Sequence, residues 1–184
     1  MVLWLRMSHR YPQEAVLRDG RRALLRPFNS TDADELYAFF QRLPQATRRF
    51  AWDRIDERST VDEWARNIDY GKVFPLVAFD GRRIVADATL HRRKNGPLRL
   101  VGRIKWLIDP EWRGVGLGSL MVNHFIDTAR MNGMRHLTCM LISDLEADAV
   151  AVLSDLGFQQ YPVPGYGTDP DGGQHDMTKM VLKL

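Results

Sequence analysis

The sequence predicts a single α/β (α+β) domain built on a mixed, mostly antiparallel twisted sheet of about seven strands flanked by about four helices. A chain of 184 residues is long enough for one such domain. Asp80-Gly81 between two apolar runs is a hairpin signal, which favours antiparallel neighbours. The run from Leu100 through a helical pattern to His136 places two strands around a crossover, which favours a parallel pair.

The N-terminal part predicts one strand followed by two helices. Ala23 to Pro27 is the strand, and a helix runs from about Asp32 to Leu43, where Pro44 ends it. A second helix is predicted from about Val61 to Asp69, with Gly71 after its end. Both helix starts carry residues spaced as capping boxes, namely Thr31 with Asp34 and Thr60 with Glu63.

The rest of the chain completes the order β-α-α-β-β-β-α-β-α-β-β. Three strands come first, at Phe74 to Phe79, Arg83 to Arg92 and Leu98 to Ile108, and an amphipathic helix beginning near Leu117 follows them. The C-terminal elements are strand His136 to Ile142, helix Leu145 to Leu156, strand Phe158 to Val163 and strand Met177 to Leu184. Pro162 to Asp176 is predicted as a long loop, either closing over a ligand or forming a disordered hairpin tip.

Composition excludes several classes of protein. The 26 basic residues are nearly matched by 23 acidic ones, and the basic clusters lack interleaved aromatic residues, so we expect no nucleic-acid partner. No apolar run approaches the ~20 residues of a membrane span, and the start lacks the features of a secretory signal. A single cysteine, Cys139, excludes an internal disulfide and favours a cytoplasmic protein with a small core residue there. The five histidines show no metal-ligand spacing, so we expect no metal site.

Three alternate glycines, between an apolar strand and an amphipathic helix, are the most informative feature of the chain. Gly114, Gly116 and Gly118 allow a tight turn and leave the N–H groups of residues 115–119 open to a ligand. Those N–H groups have no partner inside the helix, and the helix dipole adds ~0.3 to 1 kcal/mol of preference for an anion. The turn therefore predicts a phosphate site built from backbone amides.

Two common phosphate-binding motifs do not fit this turn. A dinucleotide fold requires GxGxxG after its first strand and an acid about 20 residues later. Here the spacing is GxGxG, more than half of the chain precedes it, and the strand His136 to Ile142 carries no acid. A P-loop requires a lysine after its last glycine, and none follows Gly118.

The segment Arg113-Gly114-Val115-Gly116-Leu117-Gly118 resembles the R/Q-x-x-G-x-G/A motif of the GNAT superfamily of acyl-CoA-dependent N-acyltransferases, and Leu156-Gly157-Phe158 resembles its C-terminal LGF. The resemblance implies an acetyltransferase domain at 16–184 after an N-terminal extension at 1–15, with acetyl-CoA (coenzyme A) as cofactor. It implies a gap between splayed strands where the pantetheine arm bonds to the main chain of Leu107 and Ile108. The residues implied to cradle the diphosphate are Arg113, Gly114, Val115, Gly116, Leu117, Gly118 and Ser119.

Shorter segments in the N-terminal half narrow the resemblance to the GNAT domain of bacterial protein lysine acetyltransferases. They are Leu17-Arg18-Asp19-Gly20, Leu25-Arg26-Pro27, Asp32-Ala33, and Phe39-Phe40-Gln41-Arg42-Leu43 continuing through Arg49-Phe50. This implies a protein lysine as the amine acceptor, although small amines remain open because acceptor loops diverge freely. Members of the superfamily often dimerise, so a homodimer is also an open alternative.

Three residues are candidates for the chemistry of acyl transfer. Strand alternation places Asp87 and His91 on one face, and either can accept the proton of an attacking amine through water. Ser143 can donate a proton to the leaving thiolate. The alternative is that Asp87 and Arg103 form a cross-strand ion pair on a solvated face and that His91 is simply exposed.

The chain departs from the family where many members carry functional residues. The position of the usual glutamate base is Arg103, that of the usual tyrosine acid is Leu153, and an asparagine common before the last helix is Glu146. Two functions therefore stay open: an N-acetyltransferase that acts on a primary amine by direct attack in a ternary complex, and a catalytically weak acyl-CoA-binding sensor or regulatory module. A third interpretation, in which the glycines only tighten a turn, predicts no binding of coenzyme A.

Overall fold

The structure is a computed structural model that describes residues 10–184, and it confirms the mixed, mostly antiparallel sheet. Eight strands are present in this part of the chain: β1 (Gln13–Val16), β2 (Arg22–Pro27), β3 (Val73–Asp80), β4 (Arg83–His91), β5 (Val101–Ile108), β6 (His136–Ile142), β7 (Gln159–Thr168) and β8 (Gln174–Lys183). Their spatial order is β1-β2-β3-β4-β5-β6-β8-β7. The β5–β6 pair is parallel and the other six pairs are antiparallel.

Helices cover both faces of this sheet and divide the apolar core in two. The helices are α1 (Ala33–Arg42), α2 (Gln45–Arg49), α3 (Arg58–Arg66), α4 (Leu117–Met131) and α5 (Ala147–Asp155). One core packs α1 and α3 against the sheet, with Phe39 and Phe40 fully buried. The other packs α4 and α5 on the opposite face around Phe125, and it contains Cys139, which confirms the prediction of a core cysteine.

The edge strand β1 was not predicted, because four residues without regular alternation give no periodic signal. It pairs with β2 from Gln13 to Val16, so the boundary proposed after residue 15 falls inside a strand. Residues 1–9 of the predicted extension lie outside the described residues. Within residues 10–184 no helix is long and apolar enough to cross a bilayer.

The predicted capping box at Thr31 and Asp34 is wrong, because a neighbouring ion pair recruits a different acid. Asp32 accepts two hydrogen bonds from Arg26, at 2.6 and 2.7 Å, and a third from the N–H of Asn29 at 2.9 Å. The Asn29 side chain in turn accepts from the N–H of Thr31, at 2.9 Å. Asn29 and Asp32 therefore form the capping box, around a 3-10 turn that leads into α1.

The second predicted helix is shifted, and Thr60 does not cap it. Helix α3 runs from Arg58 to Arg66 because Arg58 bonds to Asp62 one turn later, at 2.8 Å, and so supports an earlier first turn. The helix ends early because the carboxylate of Asp69 accepts from the N–H of Gly71, at 2.8 Å, and forms a turn. The short helix α2, directly after Pro44, was not predicted.

The predicted long loop from Pro162 to Asp176 is also wrong. Most of it belongs to the hairpin of β7 and β8, which leaves only residues 169–173 as the connection. A register shift between Val163 and Gly167 absorbs the extra residues. Strand β7 lies at the edge of the sheet, where prolines are tolerated because their missing N–H faces outward.

The parallel pair of β5 and β6 comes apart after three residues, as the resemblance implied. Pairing runs from Val101 to Arg103 on β5, and beyond this point the two strands diverge. Gly102 permits the close approach at the paired end, since a Cβ there would lie 2.7 Å from Leu137 and 2.8 Å from Leu90. The divergence opens a gap in the middle of the sheet.

Candidate functional site

A cavity of about 1110 Å³ occupies this gap and extends across the sheet beneath α1 and α3. Residues 104–108 of β5 and 139–142 of β6 form its walls at the gap. The start of α4 lies at one end, and polar side chains of β4 lie along the other arm. One continuous space therefore joins the glycine turn to Asp87 and His91, two of the three candidate catalytic residues.

The glycine turn presents unpaired backbone donors to this cavity. Gly114 and Gly116 have φ of +73° and +93°, a conformation that side-chain-bearing residues rarely adopt. Gly116 is the N-cap of α4, and its carbonyl accepts from the N–H of Leu120 at 3.0 Å. No protein acceptor among residues 10–184 takes a hydrogen bond from the N–H groups of 115–119. Such a turn at a helix N-terminus suits an anion.

Seven of the nine predicted cofactor-binding residues line the cavity, and two do not. The seven are Leu107, Ile108, Arg113, Gly114, Gly116, Gly118 and Ser119. The side chain of Leu117 is fully buried in the core, and Val115 packs against the same core. These two residues can therefore offer a ligand their backbone N–H groups only.

The main chain of β5 faces the gap at alternate residues, and Leu107 is not one of them. The N–H of Asp109 donates to the carbonyl of Val85 at 2.9 Å, which fixes the phase of the β4–β5 ladder. In that phase the N–H and carbonyl of Leu107 point to Asp87 on β4. Trp106 and Ile108 direct their main-chain groups to the gap, so Ile108 has the orientation that the resemblance implied and Leu107 does not. Trp106, which was not predicted, has that orientation as well.

Two arginines flank the glycine turn, and one of them escaped sequence analysis. The N–H of Arg18, in the turn between β1 and β2, donates to the carbonyl of Val115 at 3.1 Å. Its guanidinium lies over the loop, with Nε 3.5 Å from the position of a Cβ on Gly116. Arg113 donates from Nε to the carbonyl of Ile108 at 3.3 Å. Both guanidinium groups add positive charge beside the unpaired amides.

Asp87 is the unusual carboxyl of the cavity. It lines the arm beneath α1 and α3, and no described residue gives it a hydrogen bond or an ion pair. Burial, together with the negative charge of Asp53, raises the pKa of Asp87 to about 7, although Lys105 acts in the opposite sense. A carboxyl with this pKa can take up a proton near neutral pH.

The predicted ion pair of Asp87 with Arg103 is wrong, because the two residues are not opposite each other. The register places Leu107 opposite Asp87, and Arg103 opposite His91. The cation near Asp87 is Lys105, which is held by Asp53 from the segment between α2 and α3, at 2.6 Å. Sequence analysis missed Asp53 because its approach to the sheet depends on the path of that segment.

His91 lies two same-face positions along β4 from Asp87, and its side chain is engaged. Its Nε2 lies 2.9 Å from the Oγ1 of Thr89. Burial, and then the positive charges of Lys105 and Arg103, lower the pKa of His91 to about 4. The imidazole is therefore neutral at physiological pH and is a weak base.

Ser143 lies outside the cavity lining, with its Oγ 2.8 Å from the Oγ1 of Thr178 on β8. Leu153, at the position of the family's usual tyrosine, is fully buried in the core. Glu146 does line the cavity and accepts from the N–H of Ile142 at 2.6 Å, while burial raises its pKa above the usual range. Among residues 10–184 no group of three His, Cys, Asp or Glu side chains is arranged to hold a metal ion.

Comparison with known proteins identifies the family to which this fold belongs. A family model described as acetyltransferase (GNAT) domain matches residues 22–159. An acetyltransferase of Pseudomonas aeruginosa is 30% identical over 136 residues, which are 66% of this chain and 67% of that protein.

Solved structures share the fold at lower identity. The GNAT domain of S. lividans PAT superposes with a TM-score of 0.76 at 21% identity, covering 94% of this chain and 96% of its own. A ribosomal-protein-S5-alanine acetyltransferase from Vibrio fischeri gives 0.77 at 18%, with 92% and 97% covered. A Salmonella typhimurium structure with its cofactor acetyl-CoA gives 0.74 at 20%, with 88% and 94% covered. With its domain match, its P. aeruginosa relative and its splayed sheet, the chain belongs to the GNAT acetyltransferase family.

Proposed function

We propose that this chain transfers the acetyl group of acetyl-CoA to a primary amine by direct attack in a ternary complex, with Asp87 as general base. Acetyl-CoA is the co-substrate expected of the family, and a related fold has been solved with it. The observation that carries the proposal is the single cavity that joins the glycine turn to an unpartnered carboxyl. Binding at one end and proton transfer at the other require such a connection.

The cavity residues fit the donor end of acetyl-CoA. The unpaired N–H groups of residues 115–119, with Arg18 and Arg113 beside them, suit a diphosphate at the start of α4. The backbone groups of Trp106 and Ile108, which face the gap, suit the amides of the pantetheine arm. The cavity continues from the gap to the arm that contains Asp87, so a thioester bound in the gap would have an open path to that carboxyl.

The transfer step needs a base because an alkylamine of pKa ~10.4 is almost fully protonated at neutral pH. The ionised carboxylate of Asp87 accepts one proton from the bound ammonium, directly or through one water, and the nitrogen loses its second proton to water after it has attacked. The nitrogen forms a bond to the carbonyl carbon, and the carbon–sulfur bond breaks. The thiolate takes a proton from solvent, because Leu153 offers none and the hydroxyl of Ser143 lies 2.8 Å from that of Thr178. His91 is less suited to the role of base, since its pKa is about 4.

The test separates binding from transfer. Acetyl-CoA should raise the melting temperature of both the parent protein and Asp87→Asn, because Asp87 lies away from the glycine turn. Amine-dependent release of coenzyme A should fall by about 100-fold or more in Asp87→Asn, with Asp80→Asn, an exposed hairpin carboxyl, as the matched control. Undiminished release in Asp87→Asn would remove Asp87 from the mechanism.

The same experiment distinguishes the alternative function, a catalytically weak acyl-CoA-binding module. It predicts a thermal shift with acetyl-CoA and no release of thiol above the acceptor-free rate with any amine or peptide. The purely structural interpretation of the glycines predicts no thermal shift at all. Acceptor-dependent release by the parent protein would exclude both.

A further inference from the structure

The arm of the cavity beneath α1 and α3 is a chamber with a polar floor and an aromatic roof. The floor is the face of β4 that carries Asp87, Thr89 and His91, at steps of about 7 Å along the strand. The roof consists of aromatic side chains from α1, α3 and their connecting segments, namely Phe28, Phe40, Phe50, Trp52 and Trp64. Their large apolar surfaces favour a ligand with an apolar body.

The carboxylates on the floor favour a positively charged group on that ligand. Three carboxylates line this side of the cavity, and two of them have basic partners: Asp53 with Lys105 at 2.6 Å, and Asp69 with Lys94 at 3.5 Å. Asp87, half-buried in the cavity wall, has no such partner among the described residues. A carboxylate that is partly desolvated and has no partner is costly, and an ammonium ion of the ligand would satisfy it.

Ion pairs and one ring contact connect two segments of the chain beside Phe50, at one edge of the chamber. Arg49, at the end of α2, forms ion pairs with Asp169 at 3.2 Å and with Asp171, in the turn between β7 and β8. The next residue, Phe50, lines the cavity and packs edge-on against His175 of β8, with ring centroids 5.4 Å apart. We call these five residues the strap. The strap joins the α2–α3 segment to the β7–β8 hairpin, so a polypeptide chain could not cross that edge without breaking it.

Resting on the proposed function, we infer that the acceptor is a small primary amine carried on an aromatic or otherwise apolar body, rather than a lysine or N-terminus of a protein. The ammonium pairs with Asp87 beside the thioester. The body lies over Thr89 beneath the aromatic roof. Trp52, whose surface is 56% exposed, lines the cavity where it meets solvent and contacts the outer end of the body.

The test compares acceptors at saturating acetyl-CoA, with release of coenzyme A as the readout. The acceptors are phenylalkyl primary amines of increasing chain length, a doubly capped lysine peptide, and a peptide with a free N-terminus. The inference predicts that kcat/KM for the best phenylalkylamine exceeds that for either peptide by about 100-fold, because only the small amine fills the chamber without opening the strap.

Variants of the roof and the strap test whether these two features determine the preference for small acceptors. Trp64→Ala should raise KM for the phenylalkylamine about tenfold with little change in kcat, since it removes contact with the body and not with the reacting nitrogen. Trp52→Ala should act in the same direction, and its exposure makes loss of folding no concern. Arg49→Ala should raise kcat/KM for the lysine peptide relative to the parent, whereas Arg54→Ala, which breaks an exposed ion pair with Glu57, should not.

Three outcomes would overturn the inference. The first is a peptide that matches or exceeds the phenylalkylamines in kcat/KM. The second is an unchanged KM for the phenylalkylamine in both tryptophan variants, and the third is Arg49→Ala having the same peptide activity as Arg54→Ala. In each case release from some acceptor persists, so the proposed transferase function stands while the inference fails. Release with none of the acceptors, despite a thermal shift with acetyl-CoA, would overturn the proposed function as well.

Discussion

Replacing Asp87 by asparagine should stabilise the protein at alkaline pH, even though we expect the same change to lower the rate of transfer about 100-fold or more. Burial raises the pKa of Asp87 from its ordinary value of 3.8 to about 7. Between these two values the carboxyl is ionised in the unfolded chain and protonated in the native one. The unfolded state then binds fewer protons, so the free energy of unfolding falls as pH rises.

The magnitude follows from the slope of that dependence. One proton contributes at most about 1.4 kcal/mol per pH unit, so from about pH 5 to about pH 7, where the native carboxyl is half ionised, Asp87 lowers the free energy of unfolding by about 2 kcal/mol. Above the folded pKa the loss is complete and the contribution is constant. Asparagine fills the same space without titrating, so Asp87→Asn escapes this loss.

Urea denaturation at about pH 5 and about pH 8 measures the effect. The stability of Asp87→Asn relative to the parent should increase by about 2 to 3 kcal/mol between these two conditions. Asp80→Asn, at an exposed position, controls for the general effect of removing a carboxylate and should show no comparable change. A relative stability of Asp87→Asn that is the same at both pH values would refute the assignment of a buried, proton-binding carboxyl.

Three further predictions concern the glycines and the phosphate end of the cavity. Gly116→Ala should lower the free energy of unfolding by about 1 to 2 kcal/mol and abolish the thermal shift with acetyl-CoA. Gly133 has a similar φ of +66° and open surroundings, so Gly133→Ala should cost the same stability and keep the thermal shift. Gly102→Ala should lower the free energy of unfolding in urea by about 1 to 3 kcal/mol, because its Cβ would overlap three core side chains. Arg18→Ala should lower the affinity for acetyl-CoA about tenfold, as measured by calorimetry. If the affinity for dephospho-coenzyme A falls by the same factor, Arg18 contacts the diphosphate rather than the 3′-phosphate.

Local patterns account for the part of the site that the sequence could predict. The glycine turn is a short-range feature, since positive φ and a helix start both depend on adjacent residues. Strand alternation likewise placed Asp87 and His91 on the same face. These predictions required no knowledge of how distant segments pack.

Other parts of the site depend on contacts between distant segments and could not be predicted. Arg18 reaches Gly116 because a hairpin turn nearly a hundred residues earlier docks against the loop. Asp53 reaches Lys105 through the path of a segment without regular structure. The burial of Asp87 depends on the helical layer above the sheet, which is why an exposed ion pair with Arg103 was a reasonable but wrong alternative.

The errors in the secondary structure have a related cause. The capping box moved to Asn29 because Arg26 on β2 holds Asp32. The proline- and glycine-rich segment after Pro162 was predicted as a loop, yet it forms an edge strand because β8 provides a partner along its length. In each case a tertiary contact determined the conformation that local preference left open.

In the proposed function, the backbone N–H groups after Arg113 hold the diphosphate of acetyl-CoA at the start of α4. Amide chemical shifts of the isotopically labelled protein, titrated with coenzyme A, test this most directly. We predict that the resonances of Gly116, Gly118 and Ser119 move downfield and saturate together with the binding isotherm, while that of Gly133 at the other end of α4 stays in place. Saturable binding that leaves the amides of residues 115–119 unmoved would contradict the account.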